Sequence, residues 1–293
     1  DSTYLFEHEG IALLVDPQRD IDRFVEAAAD LDTRFVLETH LHNDYVSGGR
    51  SAAQATGGQL VLPASSGAAF DYLPAFHLED LDGGSFTVRP IHTPGHTPEH
   101  VSYLVLVDDE PVALFSGGSL LVGSAGRSDL LGMDRAESLA RLQYGSVKRL
   151  AKLPGDIALY PTHGAGSFCT SSVAETAVST IGNEVRSNPV LTHSTATAFV
   201  ADALAGLQPY PDYYAHMGPL NLAGPDPMPA GSVPAITVDE IPDDTHVIDI
   251  RPQADYAEGH LPGSYGLELE DQMGVWAGWL VPFNEPIVLV ANS

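Results

Sequence analysis

The stretch Phe35-Val36-Leu37-Glu38-Thr39-His40-Leu41-His42-Asn43-Asp44-Tyr45 decides how the chain is read. Phe35 to Leu37 is a short apolar run, the mark of a buried strand. It empties into two histidines and an aspartate at alternate positions. Val46-Ser47-Gly48-Gly49 then turns the chain into a predicted helix from Arg50 to Thr56. A strand end that delivers metal-ligand side chains into a loop is where α/β proteins place their chemistry. A His-x-His pair by itself also describes a polar loop whose histidines bond to backbone, so the rest of the chain must choose.

On either side the same pattern recurs. Tyr4 to Phe6 and Ile11 to Val15 flank His8-Glu9-Gly10 and predict a hairpin. Asp20 is placed to cap a helix from Ile21 to Ala29. Leu60 to Leu62, Phe86 to Val88 and Val101 to Val107 read as strands. Between the last two lies His92-Thr93-Pro94-Gly95-His96-Thr97-Pro98-Glu99-His100. Ala113 to Phe115 is a strand opening into Ser116-Gly117-Gly118-Ser119. Asp134 to Leu150 is a helix, Ala158 to Tyr160 a strand running into Pro161-Thr162-His163-Gly164, and Val173 to Arg186 another helix. Four times a short apolar strand ends in a loop rich in His, Gly or Asp. That repetition predicts one shared site at the strand ends, with helices covering the sheets.

Composition narrows the partners. The 293 residues suffice for two domains, and the formal charge is −26, from 39 acidic and 13 basic residues. Nucleic acid and anionic membrane surfaces are not expected, since phosphate binding needs clustered Lys and Arg. No apolar run approaches membrane-spanning length. The single cysteine, Cys169, permits no intrachain disulfide and no cysteine-rich zinc cluster, so any metal must be held by His, Asp or Glu. The cytoplasm is the simplest compartment. The chain starts at Asp1 rather than at a methionine, which leaves an upstream export signal open.

Three motifs in order, His40-x-His42-x-Asp44, Thr93-Pro94-Gly95-His96-Thr97 and Pro161-Thr162-His163-Gly164, resemble the metallo-β-lactamase superfamily over about residues 1–190. Thr97 to His100 and Val122 to Leu130 look most similar to its persulfide dioxygenases and their rhodanese fusions, with glyoxalase II hydrolases as cousins. The resemblance implies an αββα sandwich. It implies metal ligands among His40, His42, His96, His163 and Asp44, with Asp44 also as a catalytic group. His40, His42 and His96 can offer three neutral imidazoles to one divalent ion, zinc or iron, leaving a position open for water or substrate. Asp44 and His163 would lie beside it. His92 and His100 read as supporting or surface residues, and Cys169 as a packed core thiol.

The sequence departs from the family at two places. Tyr45 stands where the motif normally has a histidine, and Gly118 where the family has an aspartate. Both losses weaken a second ion, so one bound metal is expected, and Gly118→Asp is expected to tighten it.

Residues 205–235 are dense in Pro and Gly, with Asp226 to Pro234 as a linker. Beyond it, Asp249-Ile250-Arg251-Pro252 and Tyr256 to Ser264 resemble a rhodanese domain, here its N-terminal part. Val247 to Ile250 and Ile287 to Val290 read as buried parallel strands. Active rhodaneses follow the second of these with a cysteine nucleophile, and here the residue is Ala291. Residues beyond Ser293 are expected. The domains are thus 1–228, metallo-β-lactamase-like with a Pro/Tyr-rich extension from 205 to 228, and 229–293, linker and partial rhodanese-like unit. The expected activity is oxidation of a glutathione-type persulfide to sulfite. The alternatives are thioester hydrolysis or a degenerate module that binds sulfur carriers. The expected partners are a small thiol, persulfide or thioester substrate and, in a homodimer, a second copy of the chain.

Overall fold

The structure, a computed structural model, describes residues 1–164, 167–169, 176–229 and 231–292. The chain forms two compact units, Asp1–Pro209 with Met217–Met228, and Tyr210–His216 with Pro229–Ser293.

In the first unit, β1 (Tyr4–His8) and β2 (Ile11–Val15) form the expected hairpin, with Tyr4 opposite Val15. After α1 (Asp22–Ala27), β3 (Asp32–Leu37) joins β2 in parallel. After α2 (Gly49–Thr56), β4 (Gln59–Pro63) and β5 (Leu73–Ala75) extend the sheet, giving the order β1-β2-β3-β4-β5. A second sheet follows, built from β6 (Leu81–Asp82), β7 (Thr87–His92), β8 (Val101–Val107) and β9 (Glu110–Gly117) as antiparallel neighbours. A small hairpin of β10 (Leu120–Leu121) and β11 (Ser124–Ala125) and the long α3 (Met133–Leu150) precede β12 (Ala158–Pro161). β12 lies parallel to β9 and is edged by β13 (Ser179–Thr180).

Strand alternation explains the layering. Leu13, Val15, Phe35 and Leu37 point to one face and meet Val88, Tyr103, Val105 and Phe115 of the other sheet in a shared core. Leu14, Val36, Leu60 and Leu62 point outward onto Ala52 and Phe24 of the first two helices. On the far side Leu104, Leu114 and Leu159 pack against Val147 and Leu150 of α3. Each such side chain, fully buried, contributes about 1.5–3 kcal/mol. Two sheets face to face with helices outside each is the expected αββα sandwich.

Several local expectations fail. α1 is shorter than Ile21 to Ala29, and Asp20 does not cap it but pairs with Arg23 at 2.9 Å. The helix expected from Val173 to Arg186 begins only at α4 (Ile181–Ser187). Ser179 and Thr180 are drawn into pairing with Leu159 and Ala158, and the Thr180 hydroxyl accepts the Asn183 N–H as an N-cap. Residues 173–175 of that expectation lie outside the described residues. Two helices went unforeseen near the Pro-rich stretch: α5 (Ala196–Ala205), capped by Thr195, and α6 (Tyr214–Ala223), which carries Pro219 within it.

The second unit holds β14 (His246–Asp249), α7 (Gln253–Glu258), β15 (Tyr265–Gly266), α8 (Met273–Leu280) and β16 (Ile287–Val290). The three strands are parallel in the order β15-β14-β16. Ile248 is fully buried as expected. β16 is not: Ile287 is 49% and Leu289 42% exposed, because among the described residues nothing covers the sheet face they point to. No helix among the described residues is long and apolar enough to cross a membrane.

Candidate metal centre

The ends of β2, β3, β7, β9 and β12 and the start of β8 gather at one edge of the sandwich. Asp16 follows β2, Thr39 to Asp44 follow β3, His96 follows β7, and Gly118 follows β9. Thr162 and His163 follow β12. β8 runs against β7, so His100, just before it, arrives at the same edge. The Val101 N–H donates to the Thr39 carbonyl at 2.8 Å and ties the two sheets together there.

Asp16 fastens this edge from below. Its Oδ1 accepts the Thr39 N–H and its Oδ2 the Thr39 hydroxyl, both at 2.7 Å, and Oδ2 also accepts the Thr162 hydroxyl. Burial opposes ionisation, but the neighbouring His42 and these donors hold the carboxyl below its usual range.

The bonds on Nδ1 fix three imidazole tautomers. The Thr39 hydroxyl gives its proton to Asp16, so at 2.8 Å from His40 Nδ1 it accepts the ring N–H. His96 Nδ1 lies 2.8 Å from the Arg127 carbonyl, which can only accept. His163 Nδ1 lies 2.9 Å from Asp1 Oδ1 and 3.2 Å from Asp44 Oδ2, again acceptors. Each ring therefore carries a proton on Nδ1 and turns Nε2 inward. The ligand atoms of His40, His96 and His163 lie within 4.8 Å of one another, and all three residues are buried. His40 Nε2 and His163 Nε2 are 3.3 Å apart, and His96 Nε2 has no hydrogen-bond partner. Two ring nitrogens at this distance share either a proton or a cation. Two nitrogens on one tetrahedral zinc are about 3.4 Å apart, given Zn–N near 2.05 Å. The donor set fits a divalent ion. Burial, together with the other imidazoles, pushes His40 well down and His96 down to about 3, so both are neutral, the ligand form.

Two further sets overlap this one, Asp16–His40–His42 and His42–Asp44–His163, so the five expected ligands His40, His42, His96, His163 and Asp44 all meet at one place. His42 also leans on carboxylates. His42 Nε2 lies 3.0 Å from Glu38 Oε2, 3.3 Å from Asp16 Oδ1 and 3.0 Å from the Tyr45 hydroxyl, while the Tyr45 ring stacks on it at 4.3 Å. Burial favours the neutral ring, but Asp16 and then Glu38 overcome it and push His42 up to about 10. A ring pulled towards two carboxylates is a poor neutral ligand. Its Nδ1 has no hydrogen-bond partner, and His42 groups with Asp44 and His163 within the same 4.8 Å. Asp44 is buried with neither oxygen in a well-aligned hydrogen bond. Burial opposes its charge, yet His163 and the other imidazoles hold it ionised. The buried Cys169 thiol lies beside it, and burial and then the Asp44 charge push that thiol well up.

Gly118 faces the cluster, but not with room to spare. A Cβ there would lie 2.3 Å from His96 Cδ2 and 2.7 Å from His96 Cγ. The His96 ring fills the space an aspartate would need, which overturns the expectation that Gly118→Asp simply adds a ligand. His100 holds this turn: its Nε2 accepts the Gly118 N–H at 2.9 Å, its Nδ1 meets the Thr93 hydroxyl at 2.9 Å, and its ring stacks on His40 at 5.0 Å. It is wholly buried, a supporting residue rather than a surface one. Gln143 was missed. Its Oε1 accepts the His96 N–H at 2.8 Å and its Nε2 donates to the Ser119 carbonyl at 2.6 Å. The signal was there: Gln143 interrupts the buried stripe Ala136, Leu139, Ala140, Val147, Leu150 of α3. His92 stays at the rim, its Nε2 3.1 Å from the Pro98 carbonyl.

Comparison with known proteins agrees with this frame. The solved structure titled metallo-beta-lactamase from Staphylococcus aureus subsp. aureus COL superposes with a TM-score of 0.88 at 25% identity, covering 99% of this chain and 92% of that one. The crystal structure of ETHE1 from Myxococcus xanthus gives 0.64 at 28% identity, covering 75% and 92%. Among curated proteins, the human mitochondrial persulfide dioxygenase ETHE1 is 33% identical over 172 residues, 56% of this chain and 63% of that protein. The hydroxyacylglutathione hydrolase of Aeromonas hydrophila is 32% identical over 168 residues, 55% of this chain and 59% of that protein. The chain thus spans less than two thirds of the length of these two curated relatives. The sequence pattern of the metallo-beta-lactamase superfamily matches residues 2–163, from just before β1 to the histidine that closes the cluster, and the chain belongs to that superfamily.

Proposed function

We propose that the chain is a metal-dependent enzyme that oxidises the outer sulfur of a small organic persulfide. The observation that carries the metal is the convergence of ligand nitrogens from His40, His96 and His163 within 4.8 Å of one another, all buried. An ion held there would supply a Lewis-acid position for the substrate sulfur and, if ferrous, the electron chemistry that dioxygen requires. The protein's own groups do the rest. Asp44, held ionised in the buried site, accepts the persulfide proton at a carboxylate oxygen. Asp16, Thr39, His100 and Gln143 hold the rings in their tautomers and positions. In the overall reaction the S–S bond breaks, and the outer sulfur gives four electrons to dioxygen. RSSH, O₂ and H₂O yield RSH, sulfite and two protons, one of them taken up first by Asp44.

A thioester hydrolase is the second reading. It is favoured by the all-nitrogen character of the tripod, which suits zinc, and by Gly118 where a carboxylate would favour iron. Oxygen uptake and sulfite release, measured on iron-loaded protein with several organic persulfides, test the first reading. Cleavage of thioesters by zinc-loaded protein, with no oxygen uptake on any persulfide, sinks it in favour of the second.

We further infer that the second unit is a rhodanese-like scaffold without sulfurtransferase chemistry. The support is its parallel three-stranded sheet and the Asp249–Arg251 pair, joined at 2.6 Å at the end of β14. Ala291 follows β16, where a nucleophilic thiolate would be needed.

A further inference from the structure

A cavity of about 320 Å³ lies wholly within the first unit, on the Nδ1 side of His96. Its size is that of a small-molecule pocket. Phe168, Val190, Phe199 and Leu207 give it apolar walls. One glycine separates it from His96: a Cβ on Gly126, which lines the cavity, would lie 2.9 Å from His96 Nδ1. The next residue, Arg127, lines it too and supplies the carbonyl that holds that nitrogen. Phe168 immediately precedes Cys169, the thiol beside Asp44.

The charges of this wall are informative. Among the described residues Arg127 is its one cation. Its Nε and Nη2 meet Asp129 Oδ1 and Oδ2 at 2.7 and 2.8 Å, a two-pronged pair in which both side chains are buried. Nη1 and Nη2 also donate to the Phe168 and Gln208 carbonyls at 2.8 and 2.7 Å. The positive charge is already matched. Asp202 adds a negative charge to the same wall, with its side chain 70% exposed, and the whole chain carries −26. Asp202 pairs at the surface with His193 Nε2 at 3.3 Å, and an anion entering this cavity meets that carboxylate with Arg127 already matched by Asp129.

We propose that this cavity receives the organic end of the substrate and selects a carrier with an apolar, uncharged body over an anionic peptide thiol of the glutathione kind. The assignment rests on the reading of the centre as one that acts on small sulfur compounds. It goes further, because it names which such compounds fit.

Binding is tested on the full-length, metal-loaded chain by calorimetry at low ionic strength, with two S-methylated probes that cannot ligate as thiolates. Benzyl methyl sulfide is expected to bind at least about tenfold more tightly than S-methylglutathione. Ala203→Phe, which puts a ring into the cavity from α5, should weaken benzyl methyl sulfide about tenfold without changing metal content. Asp202→Lys lies on an exposed helix face, so it keeps the test open if the first variant does not fold. It should tighten S-methylglutathione about tenfold. Equal or tighter binding of S-methylglutathione by the unmodified chain, no binding of either probe, or indifference of the probes to both variants would each overturn the proposal. The probes bind without turnover. Loss of persulfide oxidation with benzyl methyl sulfide still bound in the cavity would therefore refute the enzymatic reading and leave the cavity assignment standing.

Discussion

β3 and β16 are both parallel strands that end in a loop, and they end very differently. β3 is central in a five-stranded sheet, covered by the second sheet on one face and by helices on the other. The residues after it, Glu38 to Asp44, are buried apart from Leu41, which is only partly so. β16 lies at the edge of a three-stranded sheet, with Ile287 and Leu289 exposed among the described residues. Both strands have the apolar composition of an interior strand. At β3 it is enclosure, more than the strand itself, that makes the site. Neutral imidazoles with fixed tautomers, and carboxylates kept ionised by neighbours rather than by water, need a wall on every side.

The comparison can be broken most forcefully at the carboxylates that anchor each loop. Asp16→Ala strands three donors and leaves His42 with fewer acceptors in a fully buried place, so it should cost the first unit about 3–5 kcal/mol. Asp249→Ala, whose partner Arg251 reaches the surface, should cost the second unit about 1–2 kcal/mol. Urea titrations can tell the units apart, because both tryptophans, Trp276 and Trp279, lie in the second one. Circular dichroism reports mainly on the larger first unit. Equal losses would mean that enclosure is not what separates the two anchors.

Next in size is the effect on metal. His163→Ala should lower zinc affinity more than about 100-fold, since it removes a direct ligand, where loss of a supporting partner costs 10–100-fold. His42→Ala should lower it less than about tenfold while lowering the melting temperature of the metal-free protein. Chelator competition measures both. The reverse ranking would return His42 to the ion and His163 to its flank.

Gly118→Asp sharpens the same point. Its Cβ would sit 2.3 Å from His96 Cδ2, so the ring must leave its place between the Arg127 carbonyl and the cluster. A loss of about 1–3 kcal/mol in stability, with weaker metal binding, is expected. Tighter iron binding in a variant of unchanged stability would show that the ring yields freely.

The smallest effect is none at all. The chain should produce no thiocyanate from thiosulfate and cyanide, because alanine at 291 cannot carry sulfur. Measurable production would place the nucleophile elsewhere.

The sequence made part of this legible. Thr93-Pro94-Gly95-His96 and Pro161-Thr162-His163 announce themselves because rigid and small residues at strand ends have few other uses. Gly95 shows why: a Cβ there would lie 2.2 Å from Gln143 Oε1. What local pattern cannot carry is which way a ring turns. His42 is drawn off by Asp16, twenty-six positions upstream, and by Glu38, whose direction depends on Ser47. Ser179 and Thr180 look helical in sequence because the strand that claims them, β12, lies well upstream and not across a short turn. β16 was read as buried because four apolar residues in a row do not say what covers the sheet they join.

The reach of the cluster along the chain bears on when it can form. His163 follows His40 by 123 positions, and the Thr162 hydroxyl closes on Asp16 across 146. The three-imidazole set therefore does not exist on the growing polypeptide until residue 163 has been added and β12 has docked beside β9. Such distant contacts form late in folding, after much loop entropy has been lost. Capture of the ion by this set is then the last step in maturation of the first unit, not its nucleus. A chelator present during refolding should leave the rate of sheet formation unchanged and lower only the final stability.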